Sequence, residues 1–336
     1  MSLQEGVDDQ DHRGSPVPPA GVHRRTGALR LLGRQRILPG MSLRCRVVAR
    51  YGSEIDVLQP AGEILRANLR RKLDDVVCGD VVTVDTGERV VLGREPRHNQ
   101  LTRRDGFIRL RTIAANIDRV WVVVAPRPEI PHLLIDRFLV GIHNLPAEAG
   151  IVVNKADLAR AGGGSLPDPD LSAYAQLSLP VLQVSARTGE GIEAFRAAAA
   201  GGSNILVGPS GVGKSSLIQA LLPEERLRVG EVGQSGEGRH TTTTARWYAT
   251  EDDAAWIDSP GVRDFSPEID GIDQLVRGFR DLSEHAAGCR FRNCTHRAEP
   301  DCAVRDAVDR GLLPGARLEA WLELLEGLVQ EGRSGS

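Results

Sequence analysis

Gly208-Pro-Ser-Gly-Val-Gly-Lys-Ser215 is the stretch of this chain whose residue types and spacing define a chemistry most narrowly. It follows the apolar run NILV and precedes SLIQALL, the strand-to-helix setting that a phosphate cradle requires. Gly208, Gly211 and Gly213 let backbone N–H groups turn inward at a helix N-terminus, where the dipole favours negative charge, and Pro209, Ser210 and Val212 complete the loop. Lys214 would bridge β- and γ-phosphates and the Ser215 hydroxyl would ligate Mg2+, with Ser216 closing the binding segment.

A second element, Asn154-Lys155-Ala156-Asp157, leaves the apolar run GIVV. The Asp157 carboxylate can accept two parallel hydrogen bonds from guanine's ring N–H and exocyclic amine, whereas adenine offers no such donor pair. A buried site left unpaired by the wrong base discriminates strongly. Lys155 can lay its stem along the base plane. Ser185-Ala186, leaving the run PVLQV, can offer a backbone amide to the guanine carbonyl oxygen. Beside a phosphate loop this set selects GTP over ATP.

Asp258-Ser-Pro-Gly261 follows AAWI; Asp258 would hold Mg2+ through water, and the Gly261 amide would sense the γ-phosphate. His240 and the threonines after it lie in a polar, glycine-flanked stretch suited to a mobile loop that brings a Thr hydroxyl to Mg2+, with Thr242 and Thr243 as candidates and Thr243 taken as the ligand. Where many GTPases place a water-positioning Gln after Asp-x-x-Gly, this chain has Val262, which cannot orient water. Catalysis must borrow a group. His240 is the nearest candidate, beside Lys214, Thr242 and Thr243; a passive loop histidine is the competing role. A low basal rate, raised by a partner, is the expectation.

The order is unusual. Base-reading elements at 154 and 185 precede the phosphate loop at 208, the threonines at 241–244 and Asp258. Such an order fits a circularly permuted domain, tolerated because domain termini are often close together. Further on, Cys289-x4-Cys294-x-His296-x5-Cys302 gathers three of the five cysteines, and three thiolates with one imidazole complete a tetrahedral structural Zn2+ site. Cys45 and Cys78 read as core residues of strands.

Positioning these groups takes a sheet. The continuous apolar runs VWVVVA, GIVV, PVLQV, NILV and AAWI, alternating with helical patterns such as HLLIDRFLVGIHN, predict a mostly parallel sheet covered on both faces. Between Leu43 and Arg94, five short alternating runs predict a small barrel, an OB-fold. Arg94, Arg97, Arg103, Arg104, Arg109 and Arg111 follow it as candidates for RNA phosphate contact. The chain therefore reads as a multidomain α/β protein. Residues 1–36 form a disordered arginine-rich arm, 37–98 an OB-fold β-barrel, 99–266 a circularly permuted P-loop GTPase domain, and 267–336 a helical zinc-binding domain.

Charge excludes a global polycation: 42 Lys+Arg against 45 Asp+Glu leave a net −3. Only three of the basic residues are lysines (Lys72, Lys155 and Lys214), and two of these fall in the nucleotide motifs. No run approaches the roughly 20 apolar residues of a membrane span, and the first residues lack the apolar core of a signal peptide. A cytoplasmic monomer without membrane contact is the expectation.

In combination NKAD, GPSGVGKSS, GRHTTT, DSPG and the Cys-Cys-His-Cys set resemble the circularly permuted ribosome-small-subunit-dependent GTPase A family of bacteria, over about residues 40–310. The likeness implies slow GTP hydrolysis stimulated by the 30S subunit and a role in late small-subunit maturation. It also implies 16S rRNA contact through the barrel and zinc region, one structural Zn2+, and Mg2+ with GTP. DSPG in place of the commoner DTPG, and a fourth threonine after His240, are departures from the pattern. Two readings of other classes stand beside it: a P-loop ATP-dependent phosphotransferase and a non-catalytic zinc RNA-binding protein.

Overall fold

One bulged strand joins two cores. Strand β1 (Ser42–Tyr51) pairs with β2 (Glu54–Leu58) in a register that shifts between Val47 and Ala49. Successive side chains of a strand face opposite sides of the sheet. Val47 thus packs with Cys45, Ile55, Val57, Val82 and Val84, whereas Val48 belongs to the larger core of the central sheet. Beyond the bulge, Ala49 pairs with Arg246 of β12 (Arg246–Ala249), so the strand that opens the small β-unit also extends the central sheet.

The computed structural model describes residues 41–104, 109–128, 130–161, 171–222, 245–250, 252–259 and 267–334. The arm at 1–36, and His240, Thr242, Thr243, Gly261 and Val262, lie outside the described residues.

The small unit adds β3 (Ile64–Asn68), β4 (Val81–Asp85) and β5 (Val90–Arg94). Its pairings run β1-β2-β3-β5-β4 and return from β4 to β1. The β3–β5 link is a single parallel pair, Asn68 with Val90, against five pairs along β1–β4. Cys45 is buried in β1 as expected; Cys78 is buried too, but in the turn before β4 rather than in a strand. Two candidate RNA-contacting arginines belong to this unit's own framework. Arg97 forks onto the buried Asp80 at 2.7 and 2.8 Å, and Arg94 meets Asp75 at 3.0 Å. Arg103, Arg109 and Arg111 stand exposed on a hairpin, β6 (Gln100–Arg104) with β7 (Leu110–Ala115), whose pairing the arginine-rich sequence did not announce.

The central sheet follows the apolar runs. Strands β8 (Arg119–Val124), β9 (Glu148–Val153), β10 (Val181–Gln183), β11 (Ser203–Val207) and β13 (Ala255–Asp258) are mutually parallel in the order β10-β9-β8-β11-β13, with β12 antiparallel at the β13 side. Near-continuous Val and Ile runs are what strands covered on both faces require. Helices α1 (His132–His143), α2 (Ala156–Ala161), α3 (Ser172–Ala175), α4 (Ile192–Ala199) and α5 (Lys214–Leu221) lie between the strands in sequence. Phe195 of α4 packs edge-on against both Trp121 (4.9 Å) and Trp256 (5.3 Å), so a few aromatics serve a mostly aliphatic core. Gly150 faces Trp121 so closely that a Cβ there would sit 2.4 Å from the indole ring.

Four C-terminal helices, α6 (Ile272–Gly278), α7 (Arg280–Ala286), α8 (Ala303–Asp309) and α9 (Gly315–Ser334), enclose a third core of Leu275, Phe279, Leu282, Val304 and Trp321. This core reaches α1 through Val140. Across the same seam Arg317 of α9 meets Asp281 of α7 at 2.8 and 3.0 Å and Asp136 of α1, which also accepts from Tyr174 of α3 at 3.0 Å. Among the described residues no helix is long and apolar enough to cross a membrane.

Candidate functional site

Parallel strands bring the predicted segments to one edge. Asn154 follows β9, Ser185 lies two residues past β10, Gly208 follows β11, and Asp258 ends β13. All four are therefore at the carboxyl ends of neighbouring or near-neighbouring strands, where open α/β sheets bind ligands. The register pairing Ile205 with Ile257 sets the Asp258 end of β13 beside the start of the Gly208 loop.

Asn154 ties the edge together. Its side chain is buried; its Nδ2 donates to the Val212 carbonyl at 2.9 Å, and its Oδ1 accepts the Ala186 N–H at 3.1 Å. One carboxamide thus joins the phosphate-loop segment, the Asn-Lys-x-Asp segment and the Ser-Ala segment, which are 58 and 32 residues away in sequence. Gly213 makes this possible. Its φ of +95° is left-handed, and a Cβ there would lie 2.4 Å from Asn154 Nδ2. Of the Ser185-Ala186 pair, the Ala186 amide is engaged by Asn154.

Both lysines of the motifs reach the loop. Lys214, the first residue of α5, is buried and donates to the carbonyls of Gly208 (2.6 Å) and Pro209 (2.7 Å). Lys155 has a φ of +61° and donates to Gly211 (2.6 Å) and Arg127 (3.0 Å). Its stem runs past Gly213, where a Cβ would be 3.9 Å from Lys155 Cε. Ser215 and Ser216 are exposed on the first turn of α5, open to a ligand at the helix N-terminus.

Asp157 is the most closely attended group. Ser185 Oγ donates to its Oδ1 at 2.5 Å, while Arg187 donates to its Oδ2 from Nε at 2.9 Å and from Nη2 at 2.5 Å. The Ser185 hydrogen bond, then the Arg187 contacts, hold the carboxyl below its ordinary range and keep it an anion. Sequence reasoning passed over Arg187 and the Arg127 carbonyl. A signal for the second was available: residues 125–128 follow β8, the strand between β9 and β11. For Arg187 the only signal was its place directly after Ser-Ala.

The second cluster is cationic in preference. Cys289, Cys294, His296 and Cys302 place one donor atom each within 4.8 Å of one another. Cys289 Sγ lies 3.7 Å from His296 Nδ1 and 4.0 Å from Cys302 Sγ, and His296 Nδ1 lies 3.4 Å from Cys302 Sγ. A metal bound tetrahedrally at about 2.3 Å from sulfur spaces its ligands by about 3.8 Å, so this set could hold a metal ion. All three cysteines are free thiols. His296 sits at φ +62°, a left-handed turn that lets the short Cys294-x-His296 spacing aim both donors inward. Glu299 fastens the same loop by accepting from the Thr295 N–H (2.8 Å), Thr295 Oγ1 (2.5 Å) and the Arg297 N–H (3.0 Å); the Thr295 hydroxyl bond, then the Thr295 amide bond, pull its carboxyl down to about 2.

Comparison with known proteins agrees with this geometry. A family model described as RsgA GTPase matches residues 94–268. A protein of Sodalis glossinidius (strain morsitans) named small ribosomal subunit biogenesis GTPase RsgA is 39% identical over 294 residues, covering 84% of this chain and 85% of that protein. A protein of the same name from Histophilus somni (strain 2336) is 40% identical over 292 residues, or 84% and 83% of the two chains. Among solved structures, YjeQ from Thermotoga maritima matches with a TM-score of 0.67 and 29% identity, covering 86% of this chain and 99% of that one. YloQ, described as a circularly permuted GTPase, matches in fold with a TM-score of 0.68 at 20% identity, over 89% and 99%.

Proposed function

This chain belongs to the RsgA GTPase family, and from that premise we propose that it hydrolyses GTP in the maturation of the small ribosomal subunit. Support comes chiefly from Asn154, whose one side chain links the phosphate loop to both base-reading segments and so makes a single nucleotide site of them. In this reading residues 37–98 are an OB-fold barrel, 99–266 the permuted GTPase domain and 267–336 a zinc-binding helical domain. The protein works in the cytoplasm as a monomer and contacts 16S rRNA in the 30S particle.

Gly208 to Ser216 would wrap the phosphates with inward amides and the Lys214 ammonium; Asp157 would take the guanine N–H pair, with Lys155 flanking the base. Lys214 must turn from the Gly208 and Pro209 carbonyls to the phosphates, an exchange of neutral acceptors for charged ones that favours the ligand. The Ser215 hydroxyl, Asp258 and Thr243 fit Mg2+, a hard cation that prefers oxygen donors and keeps several waters; bound there, it would neutralise charge on the β- and γ-phosphates. Ser215 is exposed at its helix end and Asp258 half-buried at its strand end, both beside the loop. Gly261 would report on the γ-phosphate. His240 would orient the attacking water that Val262 cannot, with Thr242 and Thr243 beside it. The Cys289, Cys294, His296 and Cys302 set suits Zn2+, with no open ligand position and hence a structural role.

Turnover of GTP and ATP with and without purified 30S subunits tests the reading. GTP hydrolysis raised by the subunits, with ATP inert, is expected; preference for ATP, or no hydrolysis even with subunits present, would overturn it. A His240→Ala variant that kept full stimulated turnover would remove His240 from the mechanism. Elemental analysis of the purified chain should return one zinc, lost together with the C-terminal fold in Cys302→Ser.

A further inference from the structure

Asp157, the carboxylate proposed to read guanine, is already engaged. Its two oxygens already have partners: Ser185 on Oδ1, and the forked Nε and Nη2 of Arg187 on Oδ2. The two partners differ in kind. Ser185 is fully buried and locked in its turn, where its N–H donates to the Glu190 carbonyl at 2.9 Å, its carbonyl accepts from Gly189 at 2.9 Å, and its Oγ accepts from the Thr188 N–H at 3.2 Å. The Arg187 side chain is 70% exposed while the Asp157 side chain is 9% exposed. One partner is built into the scaffold and the other reaches in from solvent.

The chemistry of the fork is the chemistry of the base. A guanidinium edge presents two N–H groups side by side, and guanine presents its ring N–H and exocyclic N–H in the same manner. A carboxylate that recognises one will recognise the other. We propose that Arg187 is a built-in competitor of guanine: it directs a like pair of N–H groups at Asp157 Oδ2, must swing into solvent when the base binds, and thereby sets the affinity and salt dependence of the nucleotide site. Arg187 is a specificity-tuning residue that acts through Asp157, and the inference rests on the GTP reading above.

Two consequences separate this role from simple support of the loop. Removing the competitor strengthens guanine nucleotide binding, whereas removing a support weakens it. Salt, moreover, screens the exposed Arg187 pair more than it screens contacts inside a filled cleft. The handicap imposed by Arg187 is thus largest at low ionic strength.

Equilibrium and stopped-flow titration of the full chain with a fluorescently labelled GDP tests the proposal. Arg187→Ala should bind about threefold to fivefold more tightly than the parent, the equilibrium weight of one exposed ion pair. The gain should shrink as salt rises. Arg187→Lys, which keeps the charge but loses the fork, should fall between the two. The effect must also vanish when the carboxylate is removed. In an Asp157→Asn background, probed with labelled XDP, whose extra base carbonyl can accept from the Asn amide, adding Arg187→Ala should change nothing. Unchanged or weaker GDP binding by Arg187→Ala, or an equal effect in the Asn background, would overturn the role of Arg187 while leaving the GTP site intact. A parent chain that binds no GDP under any condition would instead overturn the GTP reading itself.

Discussion

Two aspartate–arginine pairs in this protein have the same partners and opposite characters. Asp157 and Arg187 meet at the nucleotide edge; Asp136 and Arg317 meet in the seam between the central sheet's helix α1 and the C-terminal helix α9. At the edge the arginine is exposed and the carboxyl is held below its usual range, first by the Ser185 bond and then by Arg187. In the seam both side chains are 2% exposed, and burial pushes the Asp136 carboxyl up although Arg317 and Tyr174 pull it down. Burial explains the difference, and sharing adds to it. Arg317 gives Nε and Nη2 to Asp281 and only Nη1 to Asp136, so two carboxylates divide one cation out of water's reach. An ion pair that must be exchanged for a ligand is placed where water can replace either partner. One that must hold two layers together is placed where nothing can.

The largest effect expected from breaking this contrast is at the buried arginine. Arg317→Ala leaves two carboxylates without their cation and should cost about 3–5 kcal/mol of stability, read from urea unfolding. Guanine nucleotide binding by the fraction still folded should persist. Next comes Asp157→Asn, which keeps the side chain's size but replaces one acceptor oxygen with an amide donor that faces guanine's donor pair. GDP affinity should fall by about 100-fold while the urea midpoint moves little, by fluorescence titration and unfolding respectively. At the exposed partner, Arg187→Ala should change stability by no more than about 1 kcal/mol, and by less at high salt. An effect as large as that of Arg317→Ala would erase the distinction between the two pairs.

The smallest effects are those of pH, and they have opposite signs. The lowered Asp157 carboxyl contributes stability that is present above the unfolded value of about 3.9 and lost as pH falls through the lower folded value. The raised Asp136 carboxyl contributes stability that is complete below that unfolded value and lost as pH rises through the higher folded value. Unfolding free energies measured between pH 3 and 6 (roughly the carboxylate range) should therefore show the parent losing ground to Asp157→Asn on acidification. Against Asp136→Asn the parent should lose ground as pH rises. Parallel curves would show that the two carboxyls titrate alike.

Legibility in the sequence followed the range of the interaction. The phosphate loop was readable because Gly208, Gly211, Gly213 and Lys214 act within one strand-to-helix turn, each through its own backbone or side chain. Strands β8, β9 and β11 were readable because a strand covered on both faces must be apolar throughout. The β6–β7 hairpin was hidden since its exposed arginines carry no alternation of apolar and polar residues strong enough to mark strands. The acid partners of Arg94 and Arg97 were not legible because Asp75 and Asp80 stand 19 and 17 residues earlier in the chain. The same distance problem concealed Arg187, which is 30 residues from Asp157.

What the sequence determined by itself was therefore the chemistry available: a glycine-lined loop before a helix, a carboxylate able to take a pair of N–H donors, three thiols and an imidazole able to hold a metal, and the order in which they come. Those properties belong to residue types and short spacings, and no partner elsewhere in the chain can alter them. Tertiary structure decided who holds each group. It set Asn154 between three segments, gave Asp157 an exposed arginine for company, and closed Arg317 between two acids away from water. Pairings of that kind depend on which strands lie side by side and which faces they bury, and only the packed chain settles them.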